Sequence, residues 1–160
     1  MKDECLSRAR RISRRRRAFT LIELLAAMTV ISALAGLAIP RTLGMLDKAR
    51  LARAIGDLRT LQVELAAQDT LPDALAGIGR AGILDPWGRP YVYLKFGVRH
   101  GQAPPGGARR DRFLVPVNSE YDLYSLGADG RTSIAFTARA SKDDVVRALD
   151  GDYIGLVSAF

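Results

Sequence analysis

The sequence predicts an α+β fold in which one long N-terminal helix packs on a small antiparallel β-sheet. An apolar run covers residues 19–39, and an amphipathic stripe at helical spacing follows it. The C-terminal half then contains short alternating segments that are separated by glycine and proline. These patterns indicate a helix with a transmembrane first half and an amphipathic second half, followed by a β-rich domain.

The positive charge of the chain is concentrated at its N-terminus. Residues 1–18 carry eight of the 24 Lys and Arg residues and two of the 17 Asp and Glu residues, so they account for +6 of the net +7. Because the remainder is nearly neutral, nucleic acid is not expected as the main partner. The single cysteine, Cys5, lies in this basic head, and the single histidine is His100. These counts argue against a disulfide framework, a multi-histidine metal site and a Ser-His-Asp triad.

The apolar run reads FTLIELLAAMTVISALAGLAI and contains one charged residue, Glu23. As a helix it would be about 31 Å long, which matches the ~30 Å hydrocarbon core of a bilayer. The basic flank predicts that the N-terminal end stays in the cytoplasm. An uncleaved anchor and an ordinary signal cut after the small residues 33–38 are alternatives. Neither alternative explains why the run contains Glu23, because placing a carboxylate near the bilayer interior costs roughly 2.5–3.5 kcal/mol. Both would require Glu23 to lie at the cytoplasmic edge of the membrane, where water can hydrate it.

The stretch RRRRAFTLIELL, residues 14–25, resembles the cleavage and assembly signal of the type IV pilin and type II secretion pseudopilin superfamily. The resemblance implies a pilin-like fold and a prepilin peptidase that cuts between Ala18 and Phe19 and N-methylates Phe19. It also implies that Glu23 pairs with the α-amino group of Phe19 on a neighbouring subunit, which compensates its charge on assembly. Ala18 departs from the glycine that the family usually has at this position.

These features divide the chain into four segments. They are a cleaved basic leader at 1–18, the transmembrane half of the helix at 19–39, its amphipathic half at 40–72, and a periplasmic globular β-rich domain at 73–160.

The amphipathic half begins at Pro40, where a kink is expected. Its apolar residues recur at steps of three and four and predict one buried face, formed by Leu51, Ile55, Leu58, Leu61 and Leu65. Pro72 is expected to stop the helix near residue 69.

Three segments of the C-terminal half alternate in polarity and are predicted to be strands. They are YVYLKF (91–96), RFLVPV (112–117) and YDLYSL (121–126), with Pro116 pushing the second towards a sheet edge or a bulge. The stretch DPWGRP (85–90) is predicted to form a turn. His100 lies in a Gly/Pro-rich loop, residues 97–110, and is expected to be solvated.

DPWGRPYVY and YDLYSLGADG together resemble the major pseudopilin group of type II secretion. The resemblance implies a calcium ion in the loop after the last strand, because oxygen ligands suit a hard cation. The Leu126 carbonyl and the Asp129 carboxylate carry over as ligands. The further candidates for calcium ligands are Asp143, Asp144, Asp150 and Asp152.

Two alternative interpretations, neither of which involves calcium, exist for the aspartates between residues 143 and 152. SKDD could be a capping box, with Ser141 as the N-cap of a helix, Asp144 at the third position, and Val145, Val146 and Leu149 on its buried face. LDGD (149–152) could be a simple turn.

The resemblance implies a structural subunit of a type II secretion pseudopilus and no enzymatic activity. The expected partners are other copies of the chain and other pseudopilins in a fibre, the prepilin peptidase/methyltransferase, the inner-membrane assembly platform and the lipid bilayer. The expected location is a single pass in the bacterial inner membrane, with the leader cytoplasmic and the C-terminal domain periplasmic, and the fibre after assembly.

Two alternative functions stay open. One is a pilin of a type IV pilus used in adhesion, motility or DNA uptake. The other is a membrane-anchored periplasmic enzyme or binding domain, for which the sequence contains no paired histidines, nucleophile motif or phosphate-cradling loop.

Overall fold

The computed structural model describes residues 19–97 and 105–160, and the side chains of residues 37–43 are outside the description. The chain divides into two compact units, residues 1–42 and 43–160. The predicted leader at 1–18 and His100 lie outside the described residues.

Helix α1 spans Leu21–Ala66 and is 46 residues long, so the prediction of one long helix is confirmed. Pro40 lies within its bounds, and the kink expected there stays a prediction. The apolar side chains of the helix in the first unit are largely exposed. Among the described residues, no helical stretch reaches the length and hydropathy that spanning a membrane requires.

In the second unit, one face of α1 forms half of the main hydrophobic core. Ala54, Leu58, Leu61 and Leu65 are fully buried there, and Leu51 and Ile55 pack against them with partial burial. The helical spacing of these residues in the sequence predicted this face, and the prediction is confirmed. A short 3₁₀ turn at Leu75–Ile78 follows the helix and adds Leu75 to the same core.

The sheet has four antiparallel strands in the order β1-β2-β3-β4. The strands are β1 Val92–Lys95, β2 Tyr121–Ser125, β3 Val145–Ala148 and β4 Tyr153–Leu156. The first two confirm the strand predictions at 91–96 and 121–126. With the helix packed on this sheet, the α+β fold class is confirmed.

The two faces of the sheet bury different sets of residues, as the alternation of side chains along a strand requires. Tyr121 and Leu123 of β2 and Val145 of β3 face the helix. Tyr124 and Val146 belong instead to a second cluster, whose other members are Val117, Phe136, Ala148, Tyr153 and Val157. Loops therefore cover the face of the sheet that the helix does not.

The strand predicted at 112–117 is wrong. This segment folds back on itself, because the Val117 N–H donates to the Arg109 carbonyl and the Asp111 N–H donates to the Leu114 carbonyl. Pro116 has no N–H to offer a neighbouring strand. Phe113 is 92% exposed, so the apolar alternation of the segment does not mark a buried face.

The helix predicted after SKDD is also wrong, because Val145–Ala148 is a central strand between β2 and β4. The valines at its start favour a strand. The Ser141 hydroxyl bonds to the N–H and the carbonyl of Ser133 and is not a helix cap. The LDGD stretch is a turn, since a 3₁₀ turn at Leu149–Gly151 joins β3 to β4, which confirms that alternative.

Candidate functional site

The start of α1 carries the first group of predicted functional residues. The Glu23 N–H lies 3.3 Å from the Thr20 hydroxyl oxygen and 3.1 Å from the Thr20 carbonyl. Thr20 is therefore the N-cap, and the spacing Thr-x-x-Glu is that of a capping box. Glu23 lies in the first turn, where a negative charge opposes the helix dipole favourably. The sequence contains this capping signal in addition to the assembly motif for which Glu23 is predicted above.

The first turns of α1 present an apolar surface around Glu23. Phe19 is 74% exposed, and the large apolar side chains from residue 21 to residue 34 are all more than half exposed. No cation lies within ion-pair distance of Glu23 in the described part of the chain. Ala18, on the other side of the predicted cut, is outside the described residues.

The second group of predicted residues lies in the connection between β2 and β3, residues 126–144, which we call the β2–β3 loop. Its first part is bound to the DPWGR turn. The Arg89 Nη1 atom donates to the Gly127 carbonyl at 2.8 Å, and the guanidinium also reaches the Ala128 carbonyl at 3.4 Å. The two sequence motifs, 85–89 and 125–130, thus form one hydrogen-bonded unit.

Asp129 and Asp143 meet within the β2–β3 loop. The Asp129 N–H donates to the Asp143 Oδ2 atom at 2.8 Å, and the Asp129 Oδ1 atom accepts the Arg131 N–H at 2.7 Å. Gly127 lies against Asp143, because a Cβ atom on Gly127 would come within 2.2 Å of the Asp143 carbonyl oxygen. Of the predicted ligands, Leu126, Asp129 and Asp143 are therefore grouped in one part of the loop.

Asp144 lies in a different environment, on the face of the sheet that the loops cover. Its side chain is fully buried and forms an ion pair with Arg109, whose Nη2 atom is 2.6 Å from Oδ2. The Thr132 hydroxyl donates to the same oxygen at 2.5 Å. Burial raises the pKa of Asp144, and the bonds from Thr132 and Arg109 counteract this by favouring the ionised form.

Asp150 is at the opposite end of β3 from Asp144, in the turn before β4. Its Oδ1 atom accepts the Ser119 N–H at 2.8 Å, and its own N–H donates to Asn118 at 3.1 Å. Asp152 is exposed in the same turn. The structure thus separates the predicted calcium ligands into three places. Within residues 19–97 and 105–160, no three acidic, histidine or cysteine side chains are grouped as a metal site would require.

Buried arginines that no sequence pattern indicated organise this region. Arg109 is 2% exposed, and its guanidinium lies over the Tyr124 ring at 4.3 Å and the Phe136 ring at 5.2 Å. Its backbone N–H also donates to buried Asp122 at 2.6 Å. Burial raises the pKa of Asp122, while this N–H and the Asn118 amide favour its ionised form. These contacts span 13 and 35 residues, so no local spacing could indicate them.

The chain is similar in sequence to one family model and to several known proteins. A family model described as "Prokaryotic N-terminal methylation motif" matches residues 13–39. The chain is similar to "Type II secretion system core protein G" of Pseudomonas aeruginosa, with 27% identity over 143 residues, which cover 74% of this chain and 87% of that protein. The protein of the same name from Escherichia coli K12 is 27% identical over 145 residues, 75% of this chain and 87% of its own. No solved structure matches significantly.

The comparisons agree with the structure in two separate regions. The motif match covers the capped start of α1, where Glu23 lies among exposed apolar side chains, and the similarity to core protein G extends over about three quarters of the chain. In its N-terminal motif and over about three quarters of its length, this chain is similar to the major pseudopilins of type II secretion.

Proposed function

We propose that the protein is a structural subunit of a type II secretion pseudopilus, which polymerises through the first part of α1 to support protein export. One observation carries the proposal: Glu23 lies in the first turn of a helix that directly follows the predicted cleavage site and whose apolar side chains are exposed in the single chain. The relatives named as core protein G of type II secretion support the choice of secretion over a type IV pilus.

Exposed apolar surface of this extent needs to be covered. In the precursor we propose that lipid covers it, with residues 19–39 crossing the inner membrane once, the leader in the cytoplasm and the second unit in the periplasm. The run of 21 residues with a single charge and the basic flank before it support this topology. In the fibre, the same side chains would pack against neighbouring subunits and against other pseudopilins.

Cleavage of the precursor creates the positive charge that we propose binds Glu23 during assembly. The prepilin peptidase cuts between Ala18 and Phe19 and methylates the new α-amino group of Phe19. That cation would then bind Glu23 of a neighbouring subunit, and an opposite charge is the partner that a carboxylate in an apolar environment needs. The protein's work in this proposal is subunit packing, without catalysis, and its further partner is the inner-membrane assembly platform.

The first test is the intact mass of the full chain extracted from membranes, with and without a co-expressed prepilin peptidase. We expect the loss of residues 1–18 and the gain of one methyl group only when the peptidase is present. A matched Phe19→Ala variant tests whether residue 19 becomes the new N-terminus. If it does, the processed form of this variant is lighter than processed wild type by the mass difference between phenylalanine and alanine. An unchanged mass, or a cut after residues 33–38, would overturn the proposal.

A second test separates secretion from a surface pilus. The chromosomal copy is deleted in the native bacterium, and secreted proteins and surface fibres are measured in the same cultures. We expect secreted proteins to accumulate in the periplasm while surface pili are unchanged, and the wild-type copy to restore export. Loss of surface pili with normal export would instead identify a type IV pilin.

A further inference from the structure

The β2–β3 loop is held in place by cationic side chains that belong to this chain. It contains 126–144 and has no helix or strand of its own apart from a 3₁₀ turn at Arg139–Ser141. A connection of this length needs specific contacts to keep one conformation. Two arginines, Arg89 and Arg109, bind it at its start and at its end.

Arg89 binds the start of the loop through backbone oxygens. Its guanidinium donates to the carbonyls of Gly127 and Ala128. It also packs so closely against Gly130 that a Cβ atom there would lie 2.4 Å from the Arg89 Cζ atom. The guanidinium therefore fills the space beside the Gly127–Gly130 turn and neutralises the carbonyl dipoles that point into it.

Arg109 binds the end of the loop from within the core. It donates to Asp144 at 2.6 Å and to the Thr132 hydroxyl at 2.5 Å. Its ion pair with Asp144 is nearly inaccessible, with side-chain exposures of 3% and 0%. The aromatic rings of Tyr124 and Phe136 flank the guanidinium, and such contacts favour a desolvated cation. Arg109 thus joins Thr132 and Asp144, which are 12 residues apart along the loop.

A calcium ion in this loop would need six to eight oxygen ligands that converge at 2.3–2.6 Å. Several candidate oxygens already accept hydrogen bonds from Arg109, from Thr132 or from backbone N–H groups. The buried Asp144 Oδ1 atom has no hydrogen-bond partner, but within residues 19–97 and 105–160 it is not grouped with two further acidic side chains. Asp144 is bound to Arg109 and Thr132, and Asp143 accepts the Asp129 N–H. Asp150 is bound to Ser119 at the far end of β3. The residues present therefore do not fit the calcium site that the family resemblance implies.

We propose that the guanidinium groups of Arg89 and Arg109 hold the β2–β3 loop in place of a calcium ion, so that the domain keeps its fold without calcium. The positive charge that a bound metal would supply to the loop comes from within the chain. The inference is independent of the function proposed above, because it concerns the stability of one subunit and not its assembly.

The first arm of the test measures thermal unfolding of the full chain in detergent micelles. The Tm is compared after chelation with EGTA and in about 10 mM CaCl₂, well above the ~10⁻⁴–10⁻³ M affinity of typical extracellular calcium sites. We expect the two Tm values to agree within about 1 °C. A site with a Kd near 10⁻⁴ M would raise the Tm by on the order of 10 °C at this concentration, and an increase of that kind would overturn the proposal.

The second arm tests the arginines. Arg109→Met keeps an unbranched apolar stem and removes the charge, and Arg89→Gln shortens the donor to the Gly127 carbonyl. Arg131→Gln is the control, because Arg131 is an exposed cation of the same loop. We expect the Tm to fall by roughly 10 °C or more for Arg109→Met, by a few degrees for Arg89→Gln and by about 1 °C or less for Arg131→Gln.

If Arg109→Met does not fold, Arg89→Gln and the calcium comparison still decide the question. Tm values for Arg109→Met and Arg89→Gln that equal the value for Arg131→Gln would show that the two guanidiniums do not hold the loop. The proposal would likewise be overturned if calcium raised the Tm of the wild type and also restored the Tm of Arg89→Gln to the wild-type value, with EGTA reversing both effects.

Discussion

Ser125 donates a hydrogen bond of 2.6 Å from its hydroxyl to the Oδ2 atom of buried Asp85, 40 residues earlier in the chain. The other Asp85 oxygen accepts the N–H groups of Trp87 and Arg89 at 3.0 and 2.8 Å. The Ser125 hydroxyl in turn accepts the Gly127 N–H at 3.1 Å. One carboxylate therefore shapes the DPWGR turn and fixes it to the end of β2, which places Arg89 against the β2–β3 loop.

The first prediction concerns this carboxylate. Asp85→Ala leaves a buried hydroxyl and two backbone N–H groups without their acceptor, so we expect the free energy of unfolding to fall by about 3 kcal/mol. Urea unfolding of the full chain in detergent measures the loss. Asp69→Ala is the control, because Asp69 is exposed and its removal should change stability by about 0.5 kcal/mol or less. Equal stabilities for the two variants would contradict the role assigned to Asp85.

The second prediction contrasts two glycines. Gly127 has a φ angle of +64°, and an added Cβ would meet the backbone of Asp143 at 2.2 Å, whereas Gly56 lies exposed in α1 with nothing within 4 Å. We expect Gly127→Ala to destabilise the domain by about 2 kcal/mol or more. Gly56→Ala should stabilise it by about 0.5–1 kcal/mol, since alanine favours a helix. Thermal unfolding of both variants distinguishes these opposite signs, and a stable Gly127→Ala would show that the loop can move away from Asp143.

The parts of the fold that were predictable have a regular period in the sequence. The helix face at Leu58, Leu61 and Leu65 repeats every three or four residues. In β2 the residues alternate between the two core clusters, with Tyr121 and Leu123 in one and Tyr124 in the other. Strand β3 was missed because VVRA follows SKDD, a stretch that fits a capped helix start, and because its charged residue Arg147 is buried with its neighbours. The segment 112–117 shows the converse, since Phe113 and Val115 alternate with other residues as in a strand, yet both are exposed and only Val117 of the three is buried.

The candidate site was predictable only where its signal is local. Glu23 is the one charge in the apolar run that follows the basic segment, so the prediction of its role in assembly could be made from local sequence. Arg89 and Arg109 act through contacts that span 38 and 35 residues, and buried cations have no distinctive spacing. Arg147 is a similar case: it is 5% exposed, and its guanidinium lies 4.1 Å from the Tyr121 ring centre. Tertiary structure is needed to see which arginines are structural.

The third prediction concerns alkaline pH. All five tyrosines of the chain are in the second unit, and burial raises the pKa of each, with that of Tyr93 reaching about 12. An unfolded tyrosine has a pKa of about 10, so the folded state holds the phenolic proton more tightly. The stability that results is fully present below about pH 10 and is lost as the pH rises from about 10 towards 12.

Ultraviolet absorbance of the phenolate and circular dichroism, recorded on the same samples, measure this effect. We expect little phenolate at pH 10, and then ionisation and unfolding that coincide at higher pH. Tyrosines that titrate near pH 10 while the circular dichroism stays native would show that their phenolic groups are accessible to water.

The last prediction separates the role of Glu23 at the helix start from its proposed role in assembly. As an acid in the first turn, Glu23 stabilises the start of α1. Thr20 contributes to the same end through its hydroxyl, which accepts the Glu23 N–H. Thr20→Ala should cost about 1 kcal/mol of helix stability, and Glu23→Gln should cost about 0.3–1 kcal/mol through the dipole. Only Glu23→Gln removes the charge that the proposed pair with Phe19 of a neighbouring subunit requires.

If assembly depends on that pair, Glu23→Gln should lower fibre yield by about tenfold or more, since leaving one member of a buried ion pair alone costs roughly 3–5 kcal/mol. Thr20→Ala should leave the yield within about twofold of wild type, because the carboxylate remains and a terminal turn can re-form when subunits pack. Sedimented and cross-linked fibre measures the yield, and intact mass confirms that both precursors are cut and methylated. Equal losses for the two variants would mean that Glu23 acts through the helix start alone, because a helix cap is the one contribution that Thr20 and Glu23 share.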